Sequence, residues 1–249
     1  HKIVKINFIN QFVNCYDELF PIIKKIISNI ILNWYAINGR ELPWRQTTDP
    51  YAIWLSEVIM QQTKIAQGTA YWERFIKRWP NVQSLANATE DEVLREWQGL
   101  GYYSRARNLH KAAQQIVDLG YFPQTYNELI QLKGIGEYIA AAVYSIAFAG
   151  PVAVVDGNVY RVLARFFGIE IPIDSTQGKK IFKAIAQDNL PKNAPAAYNQ
   201  GIMDFGAMQC TPTLPNCKVC PLIENCFAAN NNKVSSLPIK TKKTKPIAV

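Results

Sequence analysis

Between Leu132 and Val162 the chain reads LKGIGEYIAAAVYSIAFAGPVAVVDGNVYRV, and the chemistry of this stretch leaves few backbone paths open. Gly134 and Gly136 make a tight turn after an apolar segment that ends at Leu132. The alanine-rich run from Ile139 to Ala149 is apolar on nearly every side, which predicts a buried helix. The amino end of that helix is the turn itself. Free backbone N–H groups and the helix dipole there make a site for one phosphate, so Gly134 and Gly136 are candidate phosphate contacts; from the two glycines alone, an ordinary corner between helices reads equally well. After a short link at Gly150 and Pro151, Val154-Val155-Asp156-Gly157-Asn158 opens another helix. A carboxylate at a helix start therefore lies one helix beyond the glycine turn.

No segment shows sustained period-two alternation, so the fold class is all-α. Ile22, Ile23, Ile26, Ile27, Ile30, Ile31 and Trp34 paint one face of an amphipathic helix over 21–37. Gly39 to Arg45 reads as an irregular loop of basic and aromatic residues. Asp49 with Pro50 gives an N-cap and a first-turn proline for a helix over 51–67, followed by a second over 70–78. Thr89 and Glu92 form a capping box for a helix that ends near Gly99-Leu100-Gly101. A helix over 104–119 is closed by Gly120, and Pro123 and Thr125 lead into one over 126–132. Further helices are predicted over 158–167, 178–188 and 196–208. Residues 235–245, with Lys240, Lys242, Lys243 and Lys245, lose apolar periodicity and read as a solvated tail.

The 27 Lys and Arg against 19 Asp and Glu leave a formal charge of +8, which suits a polyanionic partner. No apolar run approaches the length of a membrane span; the stretch over 22–32 is interrupted by Lys24, Lys25, Ser28 and Asn29, so neither a membrane segment nor a signal peptide is expected. Four of the five cysteines crowd into seventeen residues, as Cys210, Cys217, Cys220 and Cys226 in a C-x6-C-x2-C-x5-C pattern. That crowding in a chain without a secretion signal points to a reducing, intracellular compartment and to a metal centre. Four thiolates can close around a cubane iron–sulfur cluster. Zinc is the alternative, although its structural sites commonly use two C-x2-C knuckles and only one occurs here. Lys218, between two ligands, faces either phosphates or solvent, and the distant Cys15 reads as an ordinary thiol.

Two carboxylates stand in opposite settings. Glu57 has Ile53, Trp54 and Met60 at i−4, i−3 and i+3, so it projects from an apolar face. Partial burial there would raise its pKa and keep it protonated as a general acid; a solvated position is the ordinary alternative for a helical glutamate. Asp156 precedes Gly157-Asn158 at a helix start, where N–H donors favour the charged form whether it acts as a plain N-cap or as an electrostatic group. One neutral acid and one charged carboxylate are what glycosidic-bond cleavage through an oxocarbenium-like state requires. Tyr102, Tyr103, Arg105 and Arg107 interleave rings and guanidinium groups, as a DNA-facing loop or an exposed helix start would.

The glycine turn and VDGN resemble the helix-hairpin-helix, Gly/Pro, Asp signature of glycosylases related to endonuclease III. Residues 34–229 as a whole resemble the catalytic part of the MutY-type adenine DNA glycosylases. The resemblance rests on LPWR at 42–45, WLSEVIMQQT at 54–63, GLGYYSRARNLHKAA at 99–113, LKGIGEYIA, VDGNVYRVLAR and the cysteine spacing. It implies two helical subdomains flanking a DNA-binding cleft: a six-helix barrel bearing the hairpin over 50–151, and a [4Fe–4S] cluster domain over 152–230. The N-terminal helix and loop over 1–49 would pack with the cluster domain, and 231–249 would be a basic tail. It further implies removal of adenine opposite 8-oxoguanine or guanine in duplex DNA, by a monomeric intracellular protein at the nucleoid.

In that reading Glu57 protonates adenine, Asp156 stabilises or traps the sugar cation, and Tyr138 and Asn158 assist at the acetal centre. Arg40, Leu42 and Trp44 surround the flipped base, Gln200 lies near its Watson–Crick edge, and Gln62, Leu100 and Tyr102 form the wedge that fills the vacated stack. Family members continue into a second domain that inspects 8-oxoguanine, whereas this chain stops at Val249, so it reads as a catalytic fragment or a naturally short member. Three other functions compete. An endonuclease III-type glycosylase/lyase would need a lysine where Tyr138 stands. A mismatch thymine glycosylase shares the fold. A DNA-binding module without chemistry would not require Glu57 and Asp156.

Overall fold

The computed structural model describes residues 26–241, which are helical with no strand among them. Helix α1 covers 26–38 of the helix expected from Pro21, whose first residues, with Cys15, lie outside the described residues, as do Lys242, Lys243 and Lys245. A 3₁₀ turn at Pro43–Arg45 stands where an irregular loop was expected. Then follow α2 (Pro50–Met60), α3 (Ile65–Arg78), α4 (Val82–Ala86), α5 (Glu90–Glu96), α6 (Ser104–Leu119), α7 (Tyr126–Leu129), α8 (Glu137–Phe148), α9 (Gly157–Phe167), α10 (Thr176–Asn189), α11 (Pro195–Asp204) and α12 (Phe227–Asn230). No helix among the described residues is long and apolar enough to cross a membrane.

The chain forms two compact units. One, the hairpin unit, comprises Arg40–Val154 and Lys192–Asn199. The other, the cysteine unit, comprises the described parts of His1–Gly39 and Gln200–Val249 together with Val155–Pro191.

The hairpin unit is organised around α2, whose residues from Tyr51 to Ser56, with Val58 and Ile59, are buried. Asp49 caps it with both carboxylate oxygens, accepting from Tyr51 N at 3.1 Å and Ala52 N at 3.3 Å, and Pro50 occupies the first position, where its missing N–H costs nothing. Trp54, Trp97, Phe75, Ile53, Leu55, Ile59 and Leu85 fill the core with almost no exposure. Helix α8 packs against α2 and buries the run from Ile139 to Val143.

The sequence predicted one helix over 51–67; instead α2 stops at Met60 and α3 begins at Ile65. Gln61 leaves the helical region with ψ 115°, and Gln62 then takes a left-handed conformation, φ 55°. The capping boxes at Thr89–Glu92 and Thr125–Glu128 form as reciprocal hydrogen bonds, and Gly120 closes α6 with φ 78°. Helix α4, with its own Asn81–Ser84 box, was not anticipated.

In the cysteine unit, Ile27 and Ile31 of α1 are fully buried, and Trp34 meets Phe205 edge-on with ring centroids 5.1 Å apart. Tyr160 of α9 packs edge-on against Phe182 of α10. The helix predicted over 196–208 runs as α11 and then widens into a π turn at Phe205–Gln209 that delivers the chain to Cys210. The expected solvated tail is docked as far as Thr241. Leu237 is buried, Ile173 N donates to Ile239 O at 2.9 Å, and Thr241 N donates to Asp174 at 2.9 Å.

Candidate active site and cysteine centre

Asp156 caps α9. Its Oδ1 accepts from Val159 N at 2.8 Å, and its Oδ2 accepts from Asn158 Nδ2 at 2.8 Å. Asn158 Oδ1 in turn accepts from Arg161 Nη2 at 2.8 Å. Arg161, 8% exposed, continues the chain of donors into the π turn, reaching Gly206 O at 2.6 Å and Cys210 O at 2.7 Å. Burial pushes the Arg161 guanidinium pKa down, while Cys210 and Asp156 pull it upward. The π turn lies hard against this arrangement: a Cβ on Gly206 would fall 2.6 Å from Asn158 Cβ. One hydrogen-bonded path thus joins the backbone of the first cysteine to the Asp156 carboxylate.

One turn further along α9, Arg165 is 3% exposed and binds the loop that carries the cysteines. It donates to Thr211 O at 2.7 Å, Pro212 O at 3.0 Å, Leu237 O at 3.1 Å and Cys210 Sγ at 3.4 Å. Cys210, Cys217, Cys220 and Cys226 line a single pocket with Arg165, Pro215, Ile223 and Ala229. Among the described residues no three His, Cys, Asp or Glu side chains converge as ligands of one metal ion. Burial pushes the Cys220 thiol up to about 11 and raises Cys226 as well, so their surroundings disfavour thiolates. A cationic centre would reverse that preference, and four thiols spread around a space fit a group of several atoms. Lys218 is exposed.

In the hairpin unit, Glu57 is partly exposed on α2 between the buried Ser56 and Val58, with Ile53 and Trp54 buried behind it. Tyr138 is half-buried in the first turn of α8, the helix packed on α2. The turn before α8 forms as the sequence implied. Gly134 is left-handed, φ 76°, and a Cβ there would fall 2.6 Å from Asn108 Cβ, so glycine is required twice over. Gly136 is the N-cap, and both glycines are exposed.

Leu42 and Trp44 are buried, with Trp44 packed on Trp72 at 5.7 Å between ring centroids. Arg40 is partly buried, and its carbonyl accepts from Arg45 at 3.2 Å. Gln200 lies in the cysteine unit, 9% exposed, its Oε1 accepting from Tyr35 Oη at 3.0 Å.

Of the three wedge candidates, Gln62 and Tyr102 are exposed and Leu100 is not: it is 9% exposed and belongs to the hydrophobic core. Tyr102, Tyr103 and Arg107 are exposed, whereas Arg105 does not face outward with them. Arg105 turns inward against the end of α2, because the last carbonyls of that helix need donors, and Arg107 pairs with Glu90 at 3.3 Å. Sequence reasoning missed Arg105, Arg161, Arg165 and Gly206 as organising residues. The available signal was two arginines at i and i+4 among the buried Val159, Val162, Leu163 and Phe166, an unusual setting for charge.

The description "HhH-GPD superfamily base excision DNA repair protein" matches residues 55–190. The adenine DNA glycosylase of Buchnera aphidicola subsp. Acyrthosiphon pisum is 39% identical over 227 residues, covering 90% of this chain and 65% of the relative. The Mus musculus adenine DNA glycosylase is 40% identical, covering 84% of this chain and 43% of the relative. The chain therefore spans less than two thirds of the length of these curated relatives. Among solved structures, a thermostable thymine-DNA glycosylase superposes with a TM-score of 0.79 at 26% identity, covering 85% of this chain and 99% of that one. An endonuclease III in complex with DNA superposes with a TM-score of 0.69 at 22% identity, covering 90% and 97%, a likeness of fold.

Proposed function

Because the chain belongs to the HhH-GPD superfamily of base excision DNA repair proteins, we propose that it hydrolyses the N-glycosidic bond of adenine mispaired with 8-oxoguanine or guanine in duplex DNA. The observation that carries this reading is the Asp156 carboxylate, held as an acceptor at the start of α9 in a chain whose curated relatives at about 39% identity are adenine DNA glycosylases. Glu57 donates the proton that makes adenine a leaving group, and its setting against Ile53 and Trp54 suits a general acid. Asp156 stabilises the developing sugar cation or adds to it, Asn158 orients Asp156, and Tyr138 assists at the acetal carbon. Arg40, Leu42, Trp44 and Gln200 recognise the flipped base, Gln62 and Tyr102 fill the gap, and the N–H groups around Gly134 and Gly136 hold a phosphate.

Cys210, Cys217, Cys220 and Cys226 hold a [4Fe–4S] cluster, supported by the four-thiol pocket and by Arg165 donating to Cys210 Sγ. When bound, the cluster cross-links the four cysteines and carries compensating charge into their pocket. Protein isolated without oxygen should carry about four iron and four sulfide per chain, the composition of a four-cysteine cubane cluster; stoichiometric zinc would overturn that assignment. The protein acts as an intracellular monomer on DNA.

Four duplexes test the activity: adenine opposite 8-oxoguanine, adenine opposite guanine, thymine opposite guanine, and thymine glycol. Release of adenine from the first two, with strand breakage only after alkali, is the expected result. Release of thymine instead would favour the thymine-DNA glycosylase to which the structure is also similar.

A further inference from the structure

Besides Ala149, φ 52°, which closes α8, two exposed non-glycine residues of the hairpin unit stand in the left-handed region: Gln62, φ 55°, and Tyr102, φ 47°. Each such residue is strained unless its surroundings hold it there. One side chain holds both Gln62 and Tyr102. Arg105 Nη1 donates to Gln61 O at 2.5 Å, and to Val58 O and Ile59 O at 3.1 and 3.2 Å. Its Nη2 donates to Leu100 O at 3.2 Å and Gly101 O at 3.5 Å. Gln61 and Gly101 are the residues immediately before Gln62 and Tyr102. The guanidinium carbon also lies 5.1 Å from the centroid of the buried Trp97 ring and 5.8 Å from that of Tyr102.

We propose that Arg105 is the positioning residue of the base-flipping wedge, one guanidinium fixing the carbonyls that precede Gln62 and Tyr102 and thereby setting both strained turns in a single register. The proposal rests on the reading of Gln62 and Tyr102 as wedge residues. A planar fork of donors reaches two loops at once, whereas the single ammonium of lysine serves one. Arg105 therefore does not touch the DNA; it acts through the two residues it holds.

The test is a double-mutant cycle read by base flipping, with a fluorescent 2-aminopurine at the mispaired position of the duplex. Arg105→Lys should slow flipping by about tenfold, within the range that coupled neighbours show, while affinity for a fully paired duplex stays near wild type. In a background carrying Gln62→Ala and Tyr102→Ala, the same Arg105→Lys should cost less than about twofold, because nothing remains to position. An equal loss in both backgrounds would overturn the proposal. Wild-type flipping by the Gln62→Ala, Tyr102→Ala protein would remove the wedge reading itself, and the proposal with it, whatever Arg105→Lys does. If Arg105→Lys does not fold, Gln62→Gly and Tyr102→Gly should restore folding, since glycine takes the left-handed region without strain; failure of that rescue overturns the proposal equally.

Discussion

Asn158 Nδ2 lies 2.8 Å from Asp156 Oδ2, and the direction of this hydrogen bond is set from the far end of the amide. Arg161 carries only donors, so the Asn158 atom facing its Nη2 at 2.8 Å is the carbonyl oxygen; Nδ2 must then donate, and Asp156 must accept. Asparagine caps a helix as well as aspartate does, so Asp156→Asn keeps the bond to Val159 N while removing the charge. It also sets two amide NH₂ groups face to face, which should lower stability by about 1–3 kcal/mol. Base release should fall far more, by roughly 10²–10³, the loss seen when a group aimed at transition-state charge is removed. A near-normal single-turnover rate in the folded variant would reduce Asp156 to a cap.

Arg161→Lys tests the same path from its other end. A lysine ammonium cannot reach Asn158 Oδ1, Gly206 O and Cys210 O together, and each buried carbonyl left without a donor costs about 1–3 kcal/mol. The variant should melt several degrees lower than wild type. Melting within a degree of wild type would mean that water replaces the guanidinium without loss.

The capping carboxylates predict an acid-sensitive fold. Hydrogen bonds from Thr89 backbone and side chain, then Arg78, hold Glu92 below the usual carboxylate range; the Thr125 hydroxyl and then Tyr121 do the same for Glu128. A carboxylate whose folded pKa is depressed contributes stability above its unfolded value, near 4.3, and loses it as pH falls through the folded value. Wild type should thus lose melting temperature below about pH 4.5 more steeply than a Glu92→Gln, Glu128→Gln protein. Parallel pH profiles would show that these exposed boxes contribute nothing measurable.

These caps are also where the fold was most legible, because Thr89, Asp49-Pro50 and Gly120 act on groups two to four residues away. The break between α2 and α3 was not. WLSEVIMQQTKIAQ contains no glycine or proline, and the left-handed turn at Gln62 is held by an arginine 44 residues from Gln61. Helix α4, at five residues, is too short to display a period, and the π turn before Cys210 leaves no local sign. Likewise the docking of Leu237 depends on its carbonyl and Arg165, which no hydropathy pattern records. Of the site, Asp156 and the cysteine pocket were readable as residues, whereas the arginines that organise them were visible only as charges in an apolar helix.

Glu57→Gln separates chemistry from binding in the hairpin unit. The amide preserves shape at a position flanked by the buried Ser56 and Val58, but it cannot deliver a proton to the leaving adenine. Base release should fall by roughly 10²–10⁴ with affinity for mismatched duplex nearly unchanged. Excision at the wild-type rate would remove Glu57 from the mechanism.

Under the proposed function, Tyr138 is the residue on which survival of the strand turns. A lysine amine near the sugar can attack C1′ and form an imine that permits elimination and nicking; the tyrosine hydroxyl cannot form an imine. The wild-type protein should release adenine and leave an intact abasic strand. Tyr138 is half-buried in the first turn of α8, so an amine there would be partly desolvated, which lowers its pKa and raises the fraction free to attack. Tyr138→Lys should therefore gain a borohydride-trappable adduct and some nicking without alkali, though below the level of a lyase whose pocket is built around the amine. The control is Tyr138→Phe. If the wild type already traps and nicks strongly, and Tyr138→Phe does so unchanged, another amine performs the chemistry and the hydrolytic assignment fails.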